Sequence, residues 1–183
     1  MEKLTLAKGA ELTAETWTDF VARLHHDCIG AGVKRHYTAD AVFLVEKRVW
    51  QAVPEELSDI RRILTDGHEE TPEAFFEDLD DEEKAELNEA TGGSFLDADG
   101  YDMRAALEKL YPDSTLYFVE EQWEFVCQHM TRDAADAFIK RKGHDYREGL
   151  RVYVDATSYS WELNTIKAAI LDGRIGFIQK DPS

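Results

Sequence analysis

Carboxylates are the side chains whose number and spacing could do the most chemistry in this sequence. Between Asp66 and Asp102 there are fifteen acids against one lysine, a net charge of −14, which leaves only −3 of the chain's −17 for all other residues. On a helix, acids three or four residues apart lie roughly 5–6 Å from each other, a spacing comparable with that of nucleic-acid phosphates. Crowding like charges costs stability, which a merely soluble surface would not require. The pattern therefore favours a surface for a basic partner over a solvated helical face, and the expected contact residues are Glu69, Glu70, Glu73, Glu77, Asp78, Asp80, Asp81, Glu82, Glu83, Glu86 and Glu89.

The stretch that begins at Asp97 shares only the outline of an EF-hand calcium loop. Acids stand at its first, third and twelfth positions, but the fifth position is Tyr101 and the glycine is the fourth residue, Gly100, instead of the sixth. A turn that leads into a helix with an acidic first turn accounts for the same residues, since the helix dipole favours acids there. We therefore predict no metal and no cofactor.

Histidines and cysteines give no catalytic pattern. His25 and His26 are adjacent, so they point to different sides of a helix, and His36 adds no useful ligand spacing. His129 and the pair His144-Asp145 could supply a general base, but no nucleophile stands at an interpretable spacing. Cys28 and Cys127 fall in a predicted helix and strand, where a buried thiol is usually inert. The sequence is not expected to encode an enzyme.

The main basic cluster runs from Lys140 to Arg147, with Arg151 nearby. It follows a predicted helix, whose C-terminus favours cations. The cluster can compensate that dipole, form a counter-surface for the acidic stretch, or contact a phosphate. The overall charge argues against nucleic acid as the main partner.

Several helices have clear boundaries. Thr13 is placed to cap a helix whose buried face carries Trp17, Phe20, Val21, Leu24 and Cys28. Thr71-Pro72 starts the acidic helix or helix pair, with Phe75, Phe76, Leu79 and Leu87 as its buried stripe, and Thr91–Ser94 breaks it. A short helix over Asp102–Leu110, one capped by Thr131 through Lys140 and one capped by Ser160 follow.

Pro54 predicts a further helix, with Leu57, Ile60, Ile63 and Leu64 on its buried side and Gly67 at its end. Strands are expected over 41–50, 115–119 and 122–128 (the last two as one kinked strand) and 150–155, with a final edge strand over Ile175–Ile178. The edge strand, or an apolar patch around Trp50, could form a homodimer.

Together these elements predict an α+β fold: a small mixed or antiparallel sheet with helices packed on it, and an acidic helical insertion at 66–102. At 183 residues we expect a single domain over 1–183. The few cysteines, the lack of a signal-peptide core and the lack of a long apolar run favour the cytoplasm and no membrane contact.

Two stretches resemble small accessory proteins of phages, prophages and plasmids. They are the run His36–Arg48 and, later, Thr131–Tyr146 followed by Leu150–Asp155 and Trp161-Glu162. The resemblance implies a host-defence inhibitor, and it carries over no catalytic residue. Such inhibitors include acidic proteins that block nucleic-acid-binding sites.

The leading hypothesis is therefore an acidic accessory protein of a mobile element, a mimic of DNA charge, which binds and inhibits a basic, nucleic-acid-binding host protein and makes no direct contact with nucleic acid. The alternative is a small enzyme or ligand-binding domain that uses the C-terminal βαβα unit, with His144, Arg147, Arg151 and Tyr153 near one end of its sheet. A third possibility is a structural or assembly protein.

Overall fold

The computed structural model describes residues 5–179 and confirms the α+β class. These residues form seven α-helices and an antiparallel sheet with the strand order β3-β2-β4-β1-β5. The helices are α1 Ala14–Cys28, α2 Val33–His36, α3 Pro72–Asp78, α4 Asp81–Ala90, α5 Gly100–Leu110, α6 Arg132–Lys142 and α7 Trp161–Leu171. The strands are β1 Ala41–Val53, β2 Arg61–Thr65, β3 His68–Glu70, β4 Ser114–His129 and β5 Leu150–Ala156. Of the two predicted sheet types, the antiparallel one is correct.

Two compact units divide the chain. One contains the described residues up to Val49 together with those from Trp123 onward, and the other contains Trp50–Gln122. Strands β1 and β4 contribute residues to both units. The single domain expected from the chain length stays a prediction.

Helix α1 begins where its capping residues predict. Thr13 accepts a hydrogen bond from the backbone N–H of Thr16, and the Thr16 side chain accepts one from the backbone N–H of Thr13, which forms a capping box. The helix buries Leu24 and Cys28 against Ile170 of α7, with Trp17 and Phe20 packed beside them. This cluster is one of the two cores of the first unit.

The other core of the first unit lies between the sheet and α6. Strand β1 pairs with β5 from Ala41 opposite Ala156 to Lys47 opposite Leu150. The alternation along β1 turns Phe43 and Val45 toward α6, where they pack on Ala135. Partly buried Val152 and Val154 of β5 extend the same apolar layer.

The helix predicted from Pro54 is wrong. Only Glu55–Leu57 form a short 3-10 helix, and the chain then becomes the hairpin β2–β3. Asp66 and Gly67 turn the hairpin with φ of 51° and 79°, as the type I′ turn requires. Ile63 is fully buried, but it pairs with Leu116 of β4 as a strand residue. Pairing with a distant strand has overridden the local helical spacing.

The second unit has its own core beneath the acidic helices. Phe75 of α3, Leu87 of α4 and Leu107 of α5 are buried together with Phe95 and Ile63. The Phe75 ring is tilted against Phe95 at a centroid distance of 6.4 Å. The acidic stretch is thus a helix pair with a narrow buried stripe, as predicted.

A buried lysine joins α7 to the start of β1. Lys167 is only 2% exposed. Its Nζ donates to the carbonyl of Ala41 at 3.0 Å and to Oγ1 of Thr157 at 3.3 Å. Lysine is almost never fully buried without such partners. Burial raises the pKa of the neighbouring Cys28 thiol, against the opposing effect of Lys167, so Cys28 stays a protonated core residue.

The predicted final strand is also wrong. Residues 175–178 form no strand, because the chain turns at Gly173, with φ of 74°, and folds back on α7. The backbone N–H of Ile175 donates to the carbonyl of Ala169 at 3.0 Å. Among residues 5–179, no helix has the length and apolar character needed to cross a lipid bilayer.

Candidate partner-binding surface

Two well-capped helices carry most of the predicted contact residues. Thr71 caps α3 by accepting the N–H of Ala74 at 3.2 Å, and Pro72 occupies its first turn. Asp80 caps α4 by accepting the N–H groups of Glu82 and Glu83, both at 2.9 Å. These caps hold both helices in place although their outer faces carry little except acids.

The acids lie on two separate helices, so of the two predicted arrangements, one helix or a helix pair, the pair is present. Leu79 ends α3 in an extended conformation, with φ of −78° and ψ of 156°, so the helix stops before Asp80. The acids therefore form two shorter rows. One row contains Glu73 and Glu77 on α3, and the other contains Glu82, Glu86 and Glu89 on α4, at spacings of three and four residues.

Some predicted contact residues stabilise the fold. Asp80 caps α4, and Glu83 accepts the N–H of Asp80 at 2.9 Å to complete the capping box. Burial, followed by the nearby Glu83 carboxylate and its hydrogen bond, raises the pKa of Tyr111. Glu83 is therefore held by two groups of its own unit and is less available to a partner than the exposed acids.

Glu69, on the edge strand β3, is also held within its unit. Its Oε1 lies 3.9 Å from Nε of Arg62, whose guanidinium stacks over the Trp50 ring at 4.7 Å from the centroid. Burial and a hydrogen bond to Glu69 raise the pKa of Tyr117 to about 12. Glu70, the next predicted residue on this strand, is half-buried.

The remaining predicted acids are exposed, and none forms a side-chain hydrogen bond or ion pair within residues 5–179. We call this set the carboxylate surface; it contains Glu73, Glu77, Asp78, Asp81, Glu82, Glu86 and Glu89.

The one lysine of the acidic stretch does not neutralise the carboxylate surface. Lys84 Nζ donates to the backbone carbonyl of Glu77 at 3.1 Å and lies 6.0 Å from the Phe76 ring centroid. A carbonyl at the end of a helix carries only a partial negative charge. The side-chain carboxylates of the surface therefore stay uncompensated.

A cleft of about 360 Å³ is lined in part by Glu73 of the carboxylate surface. Apolar side chains line much of it, and its charged lining residues are the cations Arg61 and Arg62 and the acids Asp59 and Glu73. The apolar part consists of Trp50, Ile60, Pro72, Leu96 and Met103.

The calcium-like stretch forms a helix start. Asp99 accepts the N–H of Asp102 at 2.8 Å and caps α5, and Gly100 is buried against Phe118. No group of three or more His, Cys, Asp or Glu side chains that could hold a metal ion occurs within residues 5–179.

Two of the histidines that could be pictured as metal ligands, His26 and His36, contact groups of the fold instead. His26 Nδ1 lies 3.0 Å from Oδ1 of Asp27, and the other oxygen of Asp27 accepts the backbone N–H of Arg132 at 2.8 Å. Asp27 thereby satisfies the first turn of α6 from α1. His36 packs edge-on against Phe43 with a centroid distance of 5.6 Å.

Cys127 and His129 form a contact that the sequence analysis did not predict. Two residues apart on β4, their Sγ and Nε2 atoms lie 3.3 Å apart. Burial raises the pKa of Cys127 and lowers the pKa of His129. Both shifts favour the neutral thiol and the neutral imidazole, so the pair is not an activated nucleophile and base.

Two residues of the basic cluster are engaged by one neighbouring acid. Lys142 Nζ lies 2.8 Å from Asp145, and His144 Nε2 lies 3.0 Å from the same carboxylate. The hydrogen bond from Lys142 is the main cause that lowers the pKa of Asp145. Whether this cluster also faces the acidic stretch stays a prediction.

An aromatic and cationic stack on one sheet face was missed by the sequence analysis. Arg151 stacks over the Trp123 ring at 4.1 Å from its centroid, and its Nε donates to Glu46 at 2.8 Å. Arg48 lies over the same ring at 5.3 Å. The alternation of β4 places Trp123 on this face, but only the pairing of three strands brings both arginines to it.

Comparison of the chain with protein-family models, with curated proteins and with solved structures found no match in any of the three.

Proposed function

We propose that this chain is an acidic accessory protein of a mobile element that binds a basic, nucleic-acid-binding host protein through the carboxylate surface. Binding would inhibit the host protein by occupying the site that nucleic acid would otherwise use. The observation that carries the proposal is the state of the acids on α3 and α4. The acids of the carboxylate surface are exposed and form no hydrogen bond or ion pair within residues 5–179, and the single lysine of the acidic stretch, Lys84, is bound to a backbone carbonyl.

Uncompensated charge distinguishes a binding surface from a merely soluble one. A soluble helix commonly intersperses lysines with its acids, because ion pairs at four-residue spacing stabilise it. Here Glu82, Glu86 and Glu89 follow one another along α4 without any such lysine. A surface of this kind attracts a basic partner over distances of about a Debye length, roughly 10 Å at 0.1 M salt. Association is therefore expected to be fast and sensitive to salt.

The two acidic rows suit a protein surface that normally holds phosphates. Nucleic-acid-binding proteins present arginine and lysine along a groove that follows the backbone. Rows with spacings of roughly 5–6 Å can offer each of those cations a carboxylate. The apolar cleft beside Glu73 could accept an aliphatic or aromatic side chain of the same partner and add an anchor that electrostatics alone does not supply.

The first prediction concerns binding. The tagged chain captures proteins from host lysate at low salt, and each captured DNA-binding protein is then purified and titrated with the chain by calorimetry. We expect tight binding at low salt, weak binding at high salt and displacement by duplex DNA. The variant Glu77→Gln, Glu82→Gln, Glu86→Gln, Glu89→Gln should bind about thirty-fold more weakly, if each lost ion pair contributes roughly 0.5 kcal/mol.

A control variant distinguishes the effect of the charges on α3 and α4 from the effect of the total charge of the chain. Glu11→Gln, Glu108→Gln, Glu120→Gln, Glu162→Gln removes the same charge from exposed residues outside α3 and α4, and none of these side chains has a partner within residues 5–179. This variant should bind like the natural chain. Unchanged binding by the α3–α4 variant, or equal losses in both variants, would contradict the proposal.

The alternative function, a small enzyme or ligand-binding domain of the C-terminal elements, has less support. Arg151 is held by Glu46 and Trp123, and the His144 side chain is 74% exposed on a turn. A catalytic base normally needs a more enclosed setting, where its pKa can be adjusted.

A further inference from the structure

The unpaired edge of β5 carries an inference that is independent of the carboxylate surface. Strand β5 stands at the end of the strand order and pairs only with β1 among the strands of residues 5–179. The strand at the opposite end, β3, is only three residues long. A short edge strand resists further pairing, whereas seven residues without proline offer a template for another strand.

The phase of the β1–β5 ladder shows which backbone groups of β5 face outward. Arg48 N–H donates to the carbonyl of Gly149 at 3.1 Å, and Thr157 N–H donates to the carbonyl of Asp40 at 3.2 Å. Antiparallel ladders alternate, so the odd-numbered residues of β5 bond to β1 and the even-numbered ones point away. The outward residues are Leu150, Val152, Val154 and Ala156.

These outward groups have almost no partners. Within residues 5–179 only one hydrogen bond reaches them, from the N–H of Ala156 to Oδ1 of Asp155 at 2.7 Å. An exposed strand edge with open donors and acceptors is the usual site of strand addition.

We infer that β5 pairs with β5 of a second copy of this chain, antiparallel and centred on Tyr153, so that Arg151 of each copy faces Asp155 of the other. Tyr153 is the middle residue of the strand, so this register pairs all seven residues. The outward even-numbered residues then form the hydrogen-bonded pairs, with about eight backbone hydrogen bonds once the N–H of Ala156 in each copy exchanges Oδ1 of Asp155 for a carbonyl of the other copy.

The side chains favour this register over its neighbours. Arg151, Tyr153 and Asp155 are exposed and share one face, while Val152 and Val154 continue the apolar layer on the other. A shift by two residues in either direction leaves Arg151 opposite an uncharged residue. A shift by four places arginine opposite arginine or aspartate opposite aspartate, which is unfavourable.

Both charged side chains can reach across the two-fold axis. Arg151 uses Nε for Glu46, and its two terminal nitrogens make no hydrogen bond within residues 5–179. Asp155 uses one oxygen for Ala156 and leaves the other open. Tyr153 is 47% exposed and would lie opposite Tyr153 of the second copy. That pair has no backbone hydrogen bonds, and side chains of such pairs approach most closely.

Charge reversal tests the register. Arg151→Asp and Asp155→Arg are each expected to sediment as the 20.9 kDa monomer, because both cross-strand pairs of residues 151 and 155 then carry like charges. An equimolar mixture of the two variants pairs two aspartates with two arginines, and should form a heterodimer within about three-fold of the affinity of the natural homodimer. Circular dichroism of each variant establishes that it is folded.

Crosslinking provides a second, independent readout. In a Cys127→Ala background, Tyr153→Cys should oxidise to a covalent dimer, since Cα atoms in such pairs lie about 4.5 Å apart. Asp155→Cys is the matched control, because two copies of that position lie too far apart to be bridged. A natural chain that stays monomeric at every concentration, a mixture that forms no heterodimer, or equal crosslinking of both cysteine variants would each overturn the inference. None of these results would bear on the carboxylate surface, which is tested with a different partner.

Discussion

Asp27 and Glu86 are both carboxylates of helical residues, but their surroundings give them different tasks. Asp27 is 7% exposed and accepts the N–H of Arg132, so it completes the first turn of another helix. Glu86 is exposed and makes no hydrogen bond or ion pair within the described chain. The sequence predicts the exposure of Glu86 from its neighbours. It does not predict the task of Asp27, because the partner lies 105 residues away.

His129 gives a prediction at this scale. Burial, and then the charge of Arg141, lowers its pKa below the ordinary value of about 6.5. Between the two pKa values the unfolded chain binds more protons than the folded one, so the free energy of unfolding should fall as the pH drops through and below about 6.5. Urea titrations at a series of pH values measure this. His129→Gln should lose part of the pH dependence, and an unchanged slope in that variant would contradict the assignment.

The helices and strands show which parts of the fold can be predicted from residues adjacent in sequence. Capping residues predicted the starts of α1 and α3, because such a start depends on side chains that are adjacent in sequence. Helix α6 also begins after Thr131 as predicted, but Thr131 forms no capping hydrogen bond there, and Asp27 accepts the N–H of Arg132 instead. The pair Asp66-Gly67 is a strong hairpin signal, but the apolar spacing from Leu57 to Leu64 fits a helix equally well. The decisive contact, Ile63 with Leu116, joins residues 53 positions apart along the chain. The same limit applies to Glu69, whose partner Tyr117 lies 48 positions later in the chain.

The start of α5 gives a prediction at the scale of elements. Gly100 is buried, and a Cβ there would lie 2.6 Å from Cζ of Phe118 and would also collide with Glu55. Gly100→Ala should therefore destabilise the protein by about 1–3 kcal/mol, as overpacking does. Gly93→Ala is the matched control, because its Cβ would meet nothing within 4 Å, and it should change the stability by less than about 0.5 kcal/mol. Chemical denaturation measures the free energy of unfolding of both variants. Equal losses of stability would contradict the prediction that close packing at Gly100 causes the destabilisation.

Charge is the property that acts on the whole molecule. The chain carries −17, and most of this charge lies in one stretch of the second unit. Like charges so close together store repulsion that dissolved salt can screen. The amount of charge was evident from the composition, but the absence of compensating partners on α3 and α4 required the structure.

The prediction at this scale concerns how salt affects the stability of the folded chain. Neutral salt should raise the melting temperature of the natural chain. Glu77→Gln, Glu86→Gln, Glu89→Gln should be about 1 kcal/mol more stable at low salt, because it relieves repulsion on α3 and α4 and removes acids from their C-terminal halves. Its melting temperature should also rise less with salt, which calorimetry can measure. A variant that is less stable than the natural chain would show that these acids have partners and are not free.

The division of the chain into two units also bears on how the protein is made. The second unit is one continuous segment, Trp50–Gln122, whereas the first is built from both ends of the chain. During synthesis the N-terminal segment leaves the ribosome first, but its partners β5 and α7 lie beyond residue 149. The strand β1 and the helix α1 must therefore wait for almost the whole chain before their apolar faces are covered. Over that interval they are open to chaperones and proteases, whereas the second unit already contains every residue of its own core once Gln122 has been made.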